Sequence, residues 1–253
     1  MVDIHSHILF GLDDGARTFD DSILMLRMAA DSGTTDIVAT PHANSEFNFD
    51  PGLIGQKIDE LQEAVGPLPR IHRGCDFHLT MENIQDALDH PRKYAINHLS
   101  YLLVEFSDLL IPRTTQEIFN RLQGAGLTPI ITHPERNALM HSRLDQLKSW
   151  VEHGALVQVT GGSLLGGFGR TAKSVATDLM NRNLVHIVAS DAHDPRHRTT
   201  VLRDAYQYVE RTWKPSLANL LFITAPHAVI TGAEIPLPDS GPEPARKWYR
   251  LGF

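Results

Sequence analysis

Short apolar runs alternate along this chain with segments of helical periodicity, and this alternation limits the possible folds more than any other feature. The runs IVAT, YLLV, PIIT and HIVA are apolar throughout, as strands are when both faces of their sheet are covered. Helix-like segments follow such runs, for example TQEIFNRLQGAG after YLLVEF. Seven βα units in a row predict an α/β fold in which parallel strands form a barrel.

Two helices can be placed by the residues near their ends. Thr18 and Asp21 have the spacing of a capping box, and the helix that they begin is expected to end near Gly33. A second helix is predicted over 53–65, where apolar residues recur at helical spacing. The GPLP turn after it leads to the strand RIHRGCDF.

Length and composition predict one domain. The chain has 253 residues, of which 42% are hydrophobic, and α/β barrels of about this length are commonly single domains. The last residues, PLPDSGPEPARKWYRLGF, are rich in proline and charge and lack core periodicity. We therefore expect a barrel over 1–235 and a loosely held tail over 236–253.

Charge and cysteine content exclude several classes of protein. A net charge of −7 and a pI near 6.0 provide no basic stripe for a nucleic-acid backbone. Cys75 is the single cysteine, so an internal disulfide is excluded and a reducing compartment is expected. Neither a secretory leader nor an apolar stretch of membrane-spanning length is evident. These features predict a cytoplasmic protein without membrane insertion, and they predict no particular oligomeric state.

Side chains that can bind metal follow the apolar runs repeatedly. His5 and His7 end the first run, and side chains two residues apart share one face of a strand. Asp14 follows them closely. Other metal-binding residue types end the later runs: His42, Asp76, Glu105, His133, Asp191 and His193. Because the carboxyl ends of barrel strands meet at one face, this pattern predicts a shared metal site there.

These motifs, in their order, resemble a known family. They are HSH with a following Asp, TPH, a carboxylate after RG, VEF, HPER and SDAH. The set resembles the polymerase and histidinol phosphatase (PHP) superfamily over residues 1 to about 232, and most of all its bacterial tyrosine phosphatases of capsular and exopolysaccharide synthesis. The resemblance implies a distorted (β/α)7 TIM-like barrel that holds three divalent ions.

The resemblance also implies how the ligands are divided. His5, His7, Asp76 and Asp191 would hold the first ion, Asp14, His42 and His193 the second, and Asp76, Glu105 and His133 the third. Asp76 stands where this family usually has the longer Glu, and His78 on the same strand face is an alternative ligand. We favour Asp76, because a carboxylate can bridge two cations whereas a neutral imidazole normally binds one. The mixed nitrogen and oxygen donors are typical of Mn, Fe or Zn, and exclude a structural cysteine-zinc site.

The expected chemistry is hydrolysis of a phosphate ester. Divalent ions lower the pKa of water from 15.7 toward roughly 7, and the resulting hydroxide is the predicted nucleophile. Arg136 of HPER and Arg198 match family positions that hold phosphate. A phenol, with a pKa of about 10, leaves with little acid assistance. A phosphocysteine mechanism is not expected, because Met81 occupies the position of its arginine, six residues after Cys75.

The favoured function is therefore a metal-dependent protein-tyrosine phosphatase that acts on a tyrosine kinase of polysaccharide export. One alternative keeps the ions and changes the substrate to histidinol phosphate, another small phosphomonoester or a nucleic-acid end. A second is hydrolysis of carboxyl esters, although amidohydrolases commonly add a bridging lysine. A third is a metal-dependent binding protein without catalysis, which the complete ligand set and both arginines disfavour.

Overall fold

The computed structural model describes residues 1–236. Its strands, in chain order, are β1 (Val2–Ser6), β2 (Asp36–Ala39), β3 (His42–Ala43), β4 (Arg70–Arg73), β5 (Asp76–His78), β6 (Tyr101–Glu105), β7 (Thr128–Thr132), β8 (Leu156–Thr160) and β9 (Ile187–Ala189). Its α-helices are α1 (Phe19–Asp31), α2 (Pro51–Val65), α3 (Met81–Asp89), α4 (Thr115–Gly124), α5 (Leu144–Glu152), α6 (Gly161–Leu165), α7 (Gly169–Asn181), α8 (Arg203–Thr212), α9 (Pro215–Asn219) and α10 (Ala225–Thr231). A 3-10 turn (Ile96–His98) and a π-helical segment (Leu220–Thr224) complete the elements.

The strands form two sheets in which every pairing is parallel. One sheet has the order β1-β2-β4 and the other the order β3-β5-β6-β7-β8-β9. The predicted α/β class with parallel strands is confirmed. The amide of Asp191, after β9, donates to the carbonyl of His5 in β1 at 2.8 Å, and the amide of His7 donates to that of Ala192 at 2.8 Å. These hydrogen bonds join the first strand, β1, to the segment after the last strand, β9. Full closure into a seven-stranded barrel stays a prediction.

The predicted helix ends agree closely with the structure. The Thr18 side chain accepts from the Asp21 amide at 3.1 Å, and the Thr18 amide donates to the Asp21 carboxylate at 3.2 Å, so the capping box is confirmed. Helix α1 ends at Asp31, and Gly33 follows with a positive φ of 93°. Helix α2 begins at Pro51, two residues earlier than predicted, because the Asp50 side chain caps it.

Other elements differ from the sequence-based expectations. The run RIHRGCDF is two strands, β4 and β5, rather than one, and Gly74 lies between them. A Cβ at Gly74 would come within 2.7 Å of the Val38 side chain, so this close approach requires glycine. Helices α3, α6, α9 and α10 were not predicted, since helices this short show few repeats of the helical period. Helix α6 lies within the glycine-rich segment GGSLLGGFGR, directly after β8.

Apolar side chains fill both sides of the strands. A smaller buried cluster includes Ile4, Leu103 and Ile130, which lie among the strands. A larger one includes Leu102 and Ile131, the neighbours of two of those residues, and packs the strands against the helices. The strands are thus covered on both faces, as their apolar runs predict. Polar side chains are left to the strand ends, where the site lies.

Two expectations concern membrane crossing and the C-terminal segment. Within residues 1–236, no helix combines the length and apolar character that a membrane crossing requires. The expected tail over 236–253 lies, apart from Pro236, outside the described residues. The division into a barrel and a tail therefore stays a prediction.

Candidate metal centre

The nine predicted ligands lie together at the carboxyl ends of the strands. His5, His42, Asp76 and Glu105 lie on β1, β3, β5 and β6, whereas His7, Asp14, His133, Asp191 and His193 lie in the segments that follow β1, β7 and β9. Their nitrogen and oxygen atoms form overlapping groups in which each atom is within 4.8 Å of the others in its group. The clustering that the sequence predicts is therefore present among the described residues.

The group around His5 is the most deeply buried. Its Nε2 lies 3.3 Å from His7 Nε2, 3.4 Å from Asp76 Oδ2 and 3.5 Å from Asp191 Oδ1. These four side chains are at most 1% exposed. Ligands that each lie about 2.0–2.2 Å from one ion are separated by distances of this order. His5, His7 and Asp76 therefore form a group with the spacing that a single ion requires, and Asp191 adjoins it through His5 and His7.

A second group lies nearer the surface. Asp14 Oδ1 is 3.4 Å from His42 Nε2 and 3.4 Å from His193 Nε2. The Asp14 side chain is 53% exposed, whereas those of the two histidines are 11% and 7% exposed. This group therefore marks the side on which the cluster opens to solvent.

The third group depends on whether the short Asp76 side chain reaches far enough. Asp76 Oδ2 lies 3.4 Å from His5 Nε2 and 3.4 Å from His42 Nδ1. Glu105 Oε1 lies 3.4 Å from His133 Nε2. Asp76, Glu105 and His133 each offer a ligand atom, and these atoms lie within 4.8 Å of one another. Asp76 thus belongs both to the His5 group and to the Glu105 group, which is the position that a bridging carboxylate needs.

Several polar atoms of the cluster are buried without a hydrogen-bond partner among the described residues. They are both oxygens of Asp76, Asp191 Oδ1, Glu105 Oε2, His42 Nδ1 and His78 Nε2. A buried carboxylate oxygen or imidazole nitrogen without a partner costs free energy that a cation would recover. Nitrogen and carboxylate donors together suit Mn, Fe or Zn, so the residues present fit divalent metal ions.

The charges of the buried groups are strongly coupled. Burial lowers the pKa of His5, but Asp76 and Asp191 outweigh it and raise the pKa to about 10. Burial would raise the pKa of Asp191, yet His5, His133 and the nearby arginines hold it well below its usual range. The carboxylates therefore stay charged and attract positive charge, and a metal ion can replace the proton on His5.

Two further residues orient the first two histidines. His5 Nδ1 lies 2.9 Å from Gln158 Oε1, and His7 Nδ1 lies 2.7 Å from Asp13 Oδ2. These oxygens accept hydrogen bonds from Nδ1, and the Nε2 atoms face the cluster, as in many histidine metal sites. The sequence predictions did not include Asp13 or Gln158. The adjacent Asp14 offered one signal for Asp13, whereas Gln158 offered none.

Backbone conformation also distinguishes two of the predicted ligands. His133 and Asp191 have positive φ angles of 32° and 50°. Residues other than glycine seldom adopt such angles, which concentrate at functional sites. His133 directly follows β7 and Asp191 comes two residues after β9, so both unusual angles occur where a strand has just ended beside the cluster.

Both predicted arginines reach the cluster at the same carboxylate. Arg198 Nη2 donates to Asp191 Oδ2 at 2.7 Å, and Arg136 Nη1 contacts the same oxygen. The Phe168 ring lies against both guanidinium groups, with its centroid 4.3 Å from Arg136 Cζ and 5.7 Å from Arg198 Cζ. Phe168 was not among the predicted site residues, because only the tertiary structure brings its loop to the arginines.

Comparison with known proteins agrees with this geometry. Residues 1–231 match the family described as capsular polysaccharide synthesis, CpsB/CapC. The chain is 36% identical to tyrosine-protein phosphatase YwqE of Bacillus subtilis over 225 residues, covering 87% of this chain and 88% of that protein. It is 26% identical to tyrosine-protein phosphatase CpsB of Streptococcus pneumoniae over 239 residues, covering 91% of this chain and 98% of that protein.

Solved structures agree as well. A chain from the crystal structures of YwqE and CpsB, described as unique metal-dependent tyrosine phosphatases, superimposes with a TM-score of 0.87 and 33% identity, covering 93% of this chain and 96% of that chain. A lactonase of Listeria monocytogenes, at 13% identity and a TM-score of 0.57, covers 92% of this chain and 95% of its own, and shares the fold alone. From the match over nearly all of the described residues, the chain belongs to the CpsB/CapC family of capsular polysaccharide synthesis proteins.

Proposed function

We propose that this protein is a metal-dependent protein-tyrosine phosphatase. The observation that carries the proposal is the meeting of nine metal-binding side chains and two arginines at Asp191 and its neighbours. Such a site places cations and guanidinium groups beside one another, and a phosphate ester is the substrate that uses both. The named activities of YwqE and CpsB, to which the chain is similar, support the same reaction.

We divide the ligands among three ions as the family resemblance implies. His5, His7, Asp76 and Asp191 would hold the first ion, Asp14, His42 and His193 the second, and Asp76, Glu105 and His133 the third, and the contacts within each set support this division. When bound, adjacent divalent ions lower the pKa of water toward about 7 and neutralise the charge of a phosphate ester. We name Mn, Fe or Zn as the candidate metals.

The arginines bind and orient the phosphoryl group. Their side chains are 24% and 27% exposed, so both arginines contact Asp191 and remain partly open to an incoming ligand. Forked donors of this kind match two phosphate oxygens and hold phosphorus in line for attack. Arg136 and Arg198 are therefore the proposed catalytic residues of the chain itself.

A phenolic leaving group suits this arrangement. Phenolate, with a conjugate-acid pKa of about 10, departs with less proton donation than an aliphatic alkoxide. We propose phosphotyrosine on a protein as the substrate, and a tyrosine kinase of polysaccharide synthesis as the partner. We further propose a cytoplasmic location, a distorted (β/α)7 barrel closed along the edge between β1 and β9, and a domain division at residues 235 and 236.

The test compares substrates on metal-reconstituted protein. Manganese, iron and zinc are added separately, and hydrolysis is measured for a phosphotyrosine peptide, histidinol phosphate and an aryl carboxyl ester. We expect the phosphotyrosine peptide to be preferred, with activity lost on chelation and in His5→Ala. Preference for histidinol phosphate or for the carboxyl ester would retain the metal site and reject the proposed substrate.

A further inference from the structure

His78 lies beside the proposed metal cluster but belongs to none of the three ligand sets. It is on β5, two residues after Asp76, and therefore on the same face of the strand. In the parallel pairing of β5 with β6 it stands opposite Glu105. The backbone register thus brings the His78 imidazole and the Glu105 carboxylate to one edge of the cluster.

The two oxygens of Glu105 face different partners. Oε1 lies 3.4 Å from His133 Nε2, on the side of the third proposed ion. Oε2 contacts His78 Nε2 and lies 3.5 Å from His42 Nδ1. A carboxylate in this position can bind one ion through Oε1. Through Oε2 it can bind an ion together with His78.

His78, His42 and Glu105 form a compact set of donors. Their three facing atoms lie within 4.8 Å of one another. All three atoms, His78 Nε2, His42 Nδ1 and Glu105 Oε2, are buried and lack a hydrogen-bond partner among residues 1–236. Buried polar atoms ordinarily have hydrogen-bond partners or bind an ion, and the direct contact of His78 Nε2 with Glu105 Oε2 places a nitrogen and an oxygen donor where one ion could bind both.

We propose that His78 is a tenth metal ligand, which binds through Nε2 an ion shared with Glu105. The inference rests on the proposed metal assignment and extends it. A hydrogen bond from His78 Nε2 to Glu105 Oε2 is the alternative, and it would leave the number of metal ligands at nine. A cation at this edge of the cluster would bind His78 Nε2 and Glu105 Oε2, whereas His42, which faces Asp14 through Nε2, would keep the proton on Nδ1 and direct it toward Glu105.

The extra nitrogen changes the donor chemistry of the site. Imidazole favours zinc and iron, whereas carboxylate and water favour manganese. We therefore expect a site that includes His78 to bind zinc or iron more tightly than a site of carboxylates alone would. Removing His78 should weaken binding at this position and leave the ion at His5 in place.

The experiment measures metal binding on the full chain. His78→Ala and His78→Gln are compared with wild type and with the control His90→Ala, whose imidazole is exposed and contacts only Asp86. Each protein is loaded with zinc, manganese or cobalt and dialysed against a graded chelator, and bound metal is counted by elemental analysis. Cobalt-loaded samples are also compared by visible absorption, which reports the coordination number and the ligand field of the bound ions.

We expect both His78 variants to lose one ion at a chelator concentration about tenfold lower than wild type requires. Their cobalt spectra should also differ from wild type, while the control should match it. Loss of a residue that only orients a ligand would change affinity and leave the number of nitrogen ligands unchanged. Full rescue by glutamine, or variants identical to wild type, would overturn the role of His78 alone. A wild-type protein that binds no metal would instead overturn the proposed function.

Discussion

The carboxylate of Asp191 joins the metal cluster to the proposed phosphate-binding arginines. Its Oδ2 accepts a hydrogen bond from Arg198 Nη2 at 2.7 Å, while its Oδ1 lies 3.5 Å from His5 Nε2. The Arg198 guanidinium and the His5 imidazole thus lie on opposite oxygens of one carboxylate. A phosphate that binds the arginine is placed directly beside the ions.

Arg136→Ala and Arg198→Ala should each lower kcat/KM for a phosphotyrosine peptide by about 100-fold, a loss of roughly 3 kcal/mol in transition-state stabilisation. The measurement is steady-state kinetics with metal content determined in parallel, and the metal content is expected to stay at the wild-type value. Arg211→Ala, on the exposed side of α8, provides the control. Unchanged kinetics in the first two variants would remove those arginines from the site.

Phe168→Ala should weaken substrate binding without loss of metal. The ring centroid lies 4.3 Å from Arg136 Cζ, and removing a cation–π partner costs about 0.5–2 kcal/mol. We expect KM to rise by about threefold to thirtyfold, and Phe168→Tyr to retain most of the wild-type affinity. If KM stayed constant in the alanine variant, the ring would have no role in orienting the arginines.

Cys75→Ser should retain activity within about twofold. Burial raises the pKa of the Cys75 thiol well above its usual range, and the side chain packs in the larger apolar cluster. A protonated buried thiol is a poor nucleophile, so phosphate transfer to it is not expected. The assay is phosphotyrosine hydrolysis before and after chelation. Complete inactivity in a folded, metal-loaded variant would contradict hydrolysis by the metal site.

His186 should make folding stability depend on pH. Burial lowers the pKa of His186 from 6.5 to about 4, and its Nδ1 accepts a hydrogen bond from the Val157 amide at 3.1 Å. The unfolded chain, with a histidine pKa of about 6.5, binds the proton more readily, so stability present above that pH is lost as pH falls toward 4. Each pH unit in this window costs up to about 1.4 kcal/mol.

Urea unfolding at pH 7, 6 and 5 tests this effect, with His186→Gln as the comparison. The free energy of unfolding should fall more steeply in wild type, by about 2 kcal/mol between pH 7 and pH 5. Protonation of the metal ligands affects both proteins and cancels in the difference. Parallel curves for the two proteins would show that His186 does not titrate as expected.

Local sequence determined much of this protein. The apolar runs predicted the parallel strands, because a strand covered on both faces needs apolar residues along its whole length. Thr18 and Asp21 predicted the start of α1, since a capping box acts within one turn. The motif residues predicted the clustered side chains, because parallel strands bring their carboxyl ends to one face.

The tertiary structure decided what depends on contacts between distant segments. It brought Gln158 to His5 and the Phe168 loop to the two arginines, contacts that leave no periodic signal in the chain. It also placed both Asp76 and His78 at the cluster, which the sequence had presented as alternatives. The physical reason is register: residues of β5 meet their partners on β3 and β6 only after the sheet has paired, and pairing is set by packing of the whole core.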